Sequence, residues 1–369
     1  MRKNFLFICL CAIFFGTISV QAIDLSAECA VLYEPVSNRF IFEKNKDEKR
    51  GIASTTKIVT AITALEYGDL SDDVCTSKTA ADIEGSSVWL EEGEIHTMEN
   101  LLYALLLSSG NDASVAIAEH IGGLEESFVS LMNQTAQMAG AQNSNFKNPS
   151  GLDDEDHYST AADLARLMNY AEKNPIFTKI IKTKKHEMPW EGHPYNRVLE
   201  NHNRLLTLYE GCTGGKTGFT KKCGRCLVSS ATKNGVHLIA VTLNAPDDWN
   251  DHIKMFDYGF SLFENRKITE HNAFVGKITI NNGQKTDVDC VYESALSIPV
   301  LESDSIHTEK RLTKNTTAPI RKGTVVGYTD VILNNKNVAR VNIIANESCL
   351  PIYKPGFYDY FCLFLRQLF

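Results

Sequence analysis

No internal repeat and no low-complexity tract interrupts the 369 residues, so neither a repeat architecture nor a disordered chain is expected. Positive charge is in deficit. Against 45 Asp and Glu stand 37 Lys and Arg, a formal charge of −8, which argues against a nucleic-acid partner. Regular cysteine spacing is missing as well: ten cysteines lie at irregular intervals, and a chain of this length builds a core without staples, so no disulfide framework is read. The Cys-x-x-Cys at Cys223 and Cys226 has no second such pair and no His pair to complete four zinc ligands. Nor does it open a helix, as a thioredoxin-type motif does. The two cysteines read as small residues of a hairpin, with a disulfide or redox switch as the alternative; no metal and no cofactor is expected.

What is present is an ordinary globular composition, 43% hydrophobic and 22% charged, long enough for one large domain and a smaller one. Arg2 and Lys3 precede an apolar run from Phe5 to Val20, and Val20-Gln21-Ala22 supplies small residues for cleavage, the pattern of a signal peptide over 1–22. The mature chain would begin near Ile23, carry a charge of about −10 and be exported.

Residues 28–43 read as two strands around a Pro-Val-Ser-Asn turn. Helical periodicity follows from Ala53 to Gly68, then over Met98–Leu107, Ala113–Ile121, Glu125–Met138 and Thr160–Glu172, the last with Thr160 and Asp163 as a capping pair. Strands return around Lys216 and continue through a hairpin at Asn234-Gly235, and a helix spans about 249–264. Strands at both ends of a helical middle predict an α+β domain over 23–265 whose single sheet is made by the two ends of the chain. Short alternating strands with Asn-rich turns predict a separate all-β domain over 266–350. The final segment, 351–369, would as a helix carry Phe357, Phe361, Phe364 and Leu368 on a broad apolar face; too short for the roughly 20 residues of a bilayer span, it suits a helix lying on a membrane surface. The alternative is a segment docked on its own β domain.

Three short motifs carry the chemistry. Ser54-Thr55-Thr56-Lys57 places a hydroxyl and an amine three residues apart, on one helix face, where the amine is able to take the hydroxyl proton. Ser109-Gly110-Asn111 falls in a break between apolar helices and offers a hydroxyl for proton relay and an amide for a substrate carbonyl, although such a break is also ordinary turn chemistry. Lys216-Thr217-Gly218 opens a strand: the lysine suits an anionic group, the threonine a hydrogen bond to it, and the glycine a close backbone approach. Each alone has a bland reading, respectively a capping serine, a turn and an edge strand.

Together, in this order, they resemble the Ser-x-x-Lys, Ser-Asp-Asn, Lys-Thr-Gly set of penicillin-binding proteins and β-lactamases, with Gly110 in place of Asp. The likeness is to the D-alanyl-D-alanine carboxypeptidases, the low-molecular-weight penicillin-binding proteins, in which the middle motif is normally Ser-Gly-Asn. It runs closely from about Ala27 to Ile268 and also takes in "LLLSSGNDASVAIAEH" and "NPSGLDDEDHYSTAADLARLM". The resemblance implies the penicillin-binding, β-lactamase-like fold, an antiparallel sheet with a helical subdomain, followed by a small all-β domain. It further implies that Ser54 is the nucleophile acylated by the peptidoglycan pentapeptide ending in D-Ala-D-Ala and by β-lactam antibiotics. Lys57 would be the base, Ser109 and Asn111 would handle the proton and the substrate amide, and Lys216 and Thr217 the terminal carboxylate. One oxyanion donor would be the Ser54 amide, and His157 would match a family histidine linked to deacylation. The location implied is peripheral, on the outer face of the bacterial cytoplasmic membrane. The arginines that some relatives use near the third motif are not found after it; His202 and Arg204 are the nearest basic candidates. A β-lactamase, lacking here the Glu-x-x-Leu-Asn loop, and a non-catalytic wall scaffold are the rival functions.

Overall fold

A computed structural model of the chain describes residues 23–352; the expected signal peptide and residues from 353 onward lie outside it. The chain opens with the expected hairpin, β1 (Cys29–Glu34) and β2 (Arg39–Lys44), and Asn38 takes the left-handed conformation (φ 54°) that its turn requires. A 3-10 turn, Ala53–Thr56, leads into α1 (Lys57–Tyr67). The helical middle continues with β3 (Asp73–Cys75), α2 (Lys78–Ala81), β4 (Ile95–Thr97), α3 (Met98–Leu107), α4 (Asn111–Gly122), α5 (Glu125–Met138), α6 (Ala161–Ala171) and α7 (Pro175–Lys182). A second small ribbon, β5 (Lys185–Met188) and β6 (Arg197–Glu200), and the short α8 (Leu205–Leu208) lead back to the main sheet. There β7 (Cys212–Thr220), β8 (Gly224–Lys233) and β9 (Val236–Leu243) form a meander closed by α9 (Asp248–Leu262).

The sheet order β2-β1-β9-β8-β7 brings the two ends of this region together, as the sequence pattern predicts. Both faces are covered, which explains why β1 and β9 are apolar at nearly every position instead of alternating. Cys29, Val31, Tyr33, Ile239 and Val241 face the helical middle, while Ala30, Leu32, Leu238 and Ala240 face α9. Thr160 caps α6 by accepting the Asp163 amide at 3.0 Å. The Asp163 carboxylate does not return the bond; it takes the Asn143 amide at 2.6 Å and Arg166 Nη1 at 2.7 Å, so the capping pair works in one direction only.

From residue 264 the chain is all β: β10 (Glu264–Thr269), β11 (Phe274–Asn281), β12 (Asp287–Tyr292), β13 (Leu296–Val300), β14 (Ile306–Leu312), β15 (Asn315–Thr317), β16 (Val325–Leu333) and β17 (Lys336–Ala345). β10 pairs with β13, and the other six strands form one sheet in the order β14-β16-β17-β12-β11-β15. Ile278, Ile280, Val288, Cys290 and Ile343 are among the side chains that give it a core of its own. A bidentate pair joins it to the first region, with Arg39 Nη1 2.9 Å from both carboxylate oxygens of Asp304.

Candidate active site

Three elements meet at the edge strand β7. The first is the 3-10 turn carrying Ser54. A 3-10 helix has three residues per turn, so Ser54 and Lys57 eclipse each other more closely than on the α-helix face predicted. Lys57 Nζ lies 3.0 Å from Ser54 Oγ, 2.7 Å from Asn111 Oδ1 and 2.5 Å from the Ser150 carbonyl oxygen. A neutral amine has two hydrogens and one lone pair. In the neutral form the two carbonyl oxygens would take the hydrogens, which would leave the lone pair toward the serine hydroxyl. Lys57 is fully buried, and burial, with the charge of Lys216 beside it, holds its pKa well below that of an ordinary lysine, while Asp112 opposes the shift.

The second element is the break between α3 and α4. Ser109 sits at φ 61°, and its hydroxyl accepts from Lys216 Nζ at 3.0 Å. Asn111 begins α4 with both polar atoms engaged: Oδ1 accepts from Lys57, and Nδ2 donates to the Glu84 carbonyl at 2.7 Å. The side-chain donor expected to meet the substrate amide is therefore held by the protein, and Asn111 positions Lys57.

The third element is β7 itself. Lys216 is buried and its Nζ also donates to the Thr217 carbonyl at 2.8 Å; burial lowers its pKa to about 7. Gly218 is there for contact. A Cβ at this position would stand 3.0 Å from the Ile52 carbonyl oxygen and from the amide nitrogens of Ser54 and Thr55, all backbone atoms. Glycine thus lets the strand run directly against the turn that presents the nucleophile.

The turn is braced from behind. Ala53 is held at φ 46°, and the Thr56 hydroxyl donates to the Ala53 carbonyl at 2.8 Å. His157 Nδ1 accepts from the Lys147 amide at 3.2 Å, so its Nε2 carries the proton and donates to Thr56 Oγ1 at 2.8 Å. The ring is 4% exposed, and burial lowers its pKa to about 4. His157 is therefore not an exposed loop residue. It faces a separate polar cavity of about 500 Å³ behind the turn, shared with Ala53, Asp153 and Cys223, and it positions the nucleophile through Thr56.

The cleft in front of the turn has a volume of about 300 Å³ and is lined by Ser54, Ser109, Thr217, Gly218, His202 and Arg225, among others. Of the two basic candidates, His202 reaches it, with a pKa lowered by burial and by Lys216. Arg204 does not; it borders a different cavity beside Lys184 and Glu200. The arginine missed from sequence is Arg225 of β8, which pairs in register with Phe219 one residue beyond Gly218. Its Nη2 bonds Asp248 Oδ1 at 2.8 Å, and its guanidinium lies 5.7 Å from the centre of the Trp249 ring. The signal was the Gly224-to-Cys226 side of the hairpin, the strand that folds back across the motif, rather than the residues that follow β9.

Comparison with known proteins decides the family. A family profile described as D-alanyl-D-alanine carboxypeptidase matches residues 17–247, and one described as penicillin-binding protein 5, C-terminal domain, matches 263–349. The chain belongs to the D-alanyl-D-alanine carboxypeptidases. It is 35% identical over 342 residues to D-alanyl-D-alanine carboxypeptidase DacF of Bacillus subtilis, covering 90% of this chain and 87% of that one. It is 32% identical to DacC of Escherichia coli, covering 93% and 89%. Among solved structures, penicillin-binding protein 5 of Haemophilus influenzae is similar at a TM-score of 0.65 and 27% identity, over 90% of this chain and 99% of that one.

In this carboxypeptidase the Cys-x-x-Cys is part of the packing around the site. Cys226 is fully buried, with its thiol pushed up to about 12 by burial. Cys223 donates to Asp153 Oδ1 at 3.3 Å, and its sulfur occupies the space that a side chain at Gly51 would need, 2.5 Å from such a Cβ. Both thiols are raised, and neither has the lowered pKa of a reactive cysteine. Among the described residues no helix is long and apolar enough to cross a membrane.

Proposed function

We propose that the site removes the terminal D-alanine from peptidoglycan stem pentapeptides by way of a Ser54 ester. Lys57, neutral through burial, takes the Ser54 proton as Oγ attacks the carbonyl of the penultimate D-alanine. The peptide bond then breaks as Lys57 returns that proton, by way of the Ser109 hydroxyl, to the leaving amine, and free D-alanine departs, leaving Lys57 neutral again. Water attacks the ester, Lys57 again takes the proton, and the tetrapeptide is released. The substrate's terminal carboxylate meets the Thr217 hydroxyl and the positive charge of Lys216, with Arg225 and His202 on the facing wall of the cleft. The Ser54 amide, brought against β7 at Gly218, supplies an oxyanion donor. β-Lactams, which carry a strained amide and a carboxylate, acylate the same serine.

The observation that carries this reading is the placement of Lys57 Nζ 3.0 Å from Ser54 Oγ with both of its amine hydrogens already assigned to carbonyl oxygens. Its test is intact mass after benzylpenicillin, beside Ser54→Ala, together with D-alanine release from a pentapeptide. An adduct on the wild type alone, with D-alanine released, is expected. Drug consumed without an adduct would make the protein a β-lactamase, and an adduct without D-alanine release would make it a penicillin-binding scaffold.

The 1–22 leader and the apolar 351–369 segment support a finer placement: an exported enzyme held on the outer face of the cytoplasmic membrane by its C-terminal end, with the domain division 23–265 and 266–350. Flotation of the full chain with anionic vesicles, compared with a chain ending at 350, tests it.

A further inference from the structure

Beside the catalytic cleft, and sharing Ser86 and His202 with it, runs a larger groove of about 700 Å³. Trp89 and Tyr195 line it, 76% and 60% exposed, together with Ser108 and with Trp190, whose ring packs edge-on to Tyr195 at 5.6 Å. Trp89 is held in an unfavourable conformation, at φ 64°, where a bulky residue is an outlier. The backbone around it leaves no slack. The Val88 and Leu90 amides donate to Asp112 Oδ2 at 2.9 and 3.1 Å, and the Trp89 amide donates to Ser87 Oγ at 2.8 Å. Its carbonyl accepts from Arg197 Nη2 at 2.6 Å. Arg197 is itself buried, paired with Glu94 and placed 4.2 Å from the centre of the Trp190 ring. Asp112 directly follows Asn111, so the loop that presents the indole is anchored to the motif that positions Lys57. A folded chain gains nothing from fixing a large apolar ring in water on strained backbone, and such strain persists where a site needs it.

We propose that this groove docks the carbohydrate strand of the cell-wall polymer, with Trp89 and Tyr195 stacking on amino-sugar rings, and that it gives the enzyme a preference for stem peptides still attached to glycan. The inference rests on the carboxypeptidase reading of the adjoining cleft. The groove adjoins that cleft at Ser86 and His202, and the four or so residues between the scissile bond and the glycan reach at most about 14 Å when extended. Exposed aromatic faces rimmed by hydroxyl and amide groups, here Ser86, Ser108 and Asn196, suit a ligand with C–H faces and hydroxyl edges, and the volume lies within the usual range of ligand sites.

The experiment compares kcat/KM for D-alanine release from a free pentapeptide and from the same pentapeptide on its disaccharide, using the full chain. Trp89→Gly removes the ring while suiting the positive φ, so misfolding does not explain its effect. The wild type is expected to favour the disaccharide substrate, and Trp89→Gly to reduce the ratio of the two kcat/KM values at least tenfold, mainly through KM; Tyr195→Ala is expected to move it the same way. A ratio unchanged by Trp89→Gly, or a wild type indifferent to the disaccharide, would overturn the glycan subsite, and so would an equal loss on both substrates, which would place Trp89 in service of the peptide. Absence of D-alanine release by the wild type from either substrate would instead refute the carboxypeptidase reading.

Discussion

The brace behind the nucleophile makes a quantitative claim that Thr56→Val tests. Valine keeps the shape of the buried threonine and deletes only the hydroxyl. That hydroxyl donates to the Ala53 carbonyl and accepts from His157 Nε2, each at 2.8 Å, and all three residues are buried. Its loss leaves a buried carbonyl and a buried N–H without partners, at about 1–3 kcal/mol each, or about 2–6 kcal/mol in total. For a chain of this size that lowers Tm by roughly 3–10 °C. The kinetic effect has a separate origin. Ala53, at φ 46°, is held one residue before Ser54 partly by this bond, and a turn free to relax misplaces Oγ, so acylation by benzylpenicillin is expected to slow by about 10–100-fold. Thr56→Ser keeps the hydroxyl and loses one methyl, costing about 1 kcal/mol with little change in acylation. The assays are thermal unfolding and the second-order acylation rate read by intact mass. A Thr56→Val enzyme with the melting temperature and acylation rate of the wild type would refute the reasoning.

Three further outcomes follow from the same geometry. The kcat/KM for D-alanine release should rise with pH as Lys57 loses its proton well below 10.5, then fall above about 7 as Lys216 loses the charge that meets the carboxylate; a profile rising up to 10 would contradict both assignments. Gly218→Ala puts a Cβ 3.0 Å from three backbone atoms of the nucleophile turn, and should cut acylation by about 10²-fold while the β7–β8 pairing persists in circular dichroism; full acylation would show that the close approach is unnecessary. Burial lowers the pKa of His157 to about 4 and of His252 to about 3. The unfolded chain therefore binds more protons at acid pH, so stability is complete above about 6.5 and is lost as pH falls toward 4 and 3, by on the order of 5 kcal/mol. Denaturant titrations at pH 7.5 and 5 measure it, and His252→Gln should flatten the dependence; equal unfolding free energies at the two pH values would show that the buried imidazoles titrate as they do in the unfolded chain.

What was legible in the sequence was local or covalently spaced. Ser54 and Lys57 are brought together by a spacing of three, and the hairpins at Asn38 and Asn234-Gly235 by turn chemistry. The fold class followed from strands at both ends of a helical run. What was not legible depended on long-range register. Arg225 reaches the cleft because β8 places it opposite Phe219, and a linear scan beyond β9 looks in the wrong place. His157 resembled a loop histidine because its burial comes from contacts with Thr56 and the Lys147 amide, 101 and 10 residues away. The stretch from 173 to 210 gave no clear period, since α7, β5, β6 and α8 are each short and draw their stability from the larger elements they pack against.

The placement of β1 at the heart of the sheet has a kinetic consequence. On one side β1 pairs at once with β2, but its other partner β9 lies some two hundred residues later, with Cys29 opposite Leu243, so the first hairpin keeps one edge unpaired until most of the catalytic region has been synthesised. Ser54, Ser109 and Lys216 enter the chain in that order, and Ser109 gains its Lys216 partner only once β7 has been made. Contacts of such sequence separation form slowly, which leaves the chain extended for longer. Penicillin labelling of Ser54 would therefore serve as a clock for the moment the first strand and the last are joined.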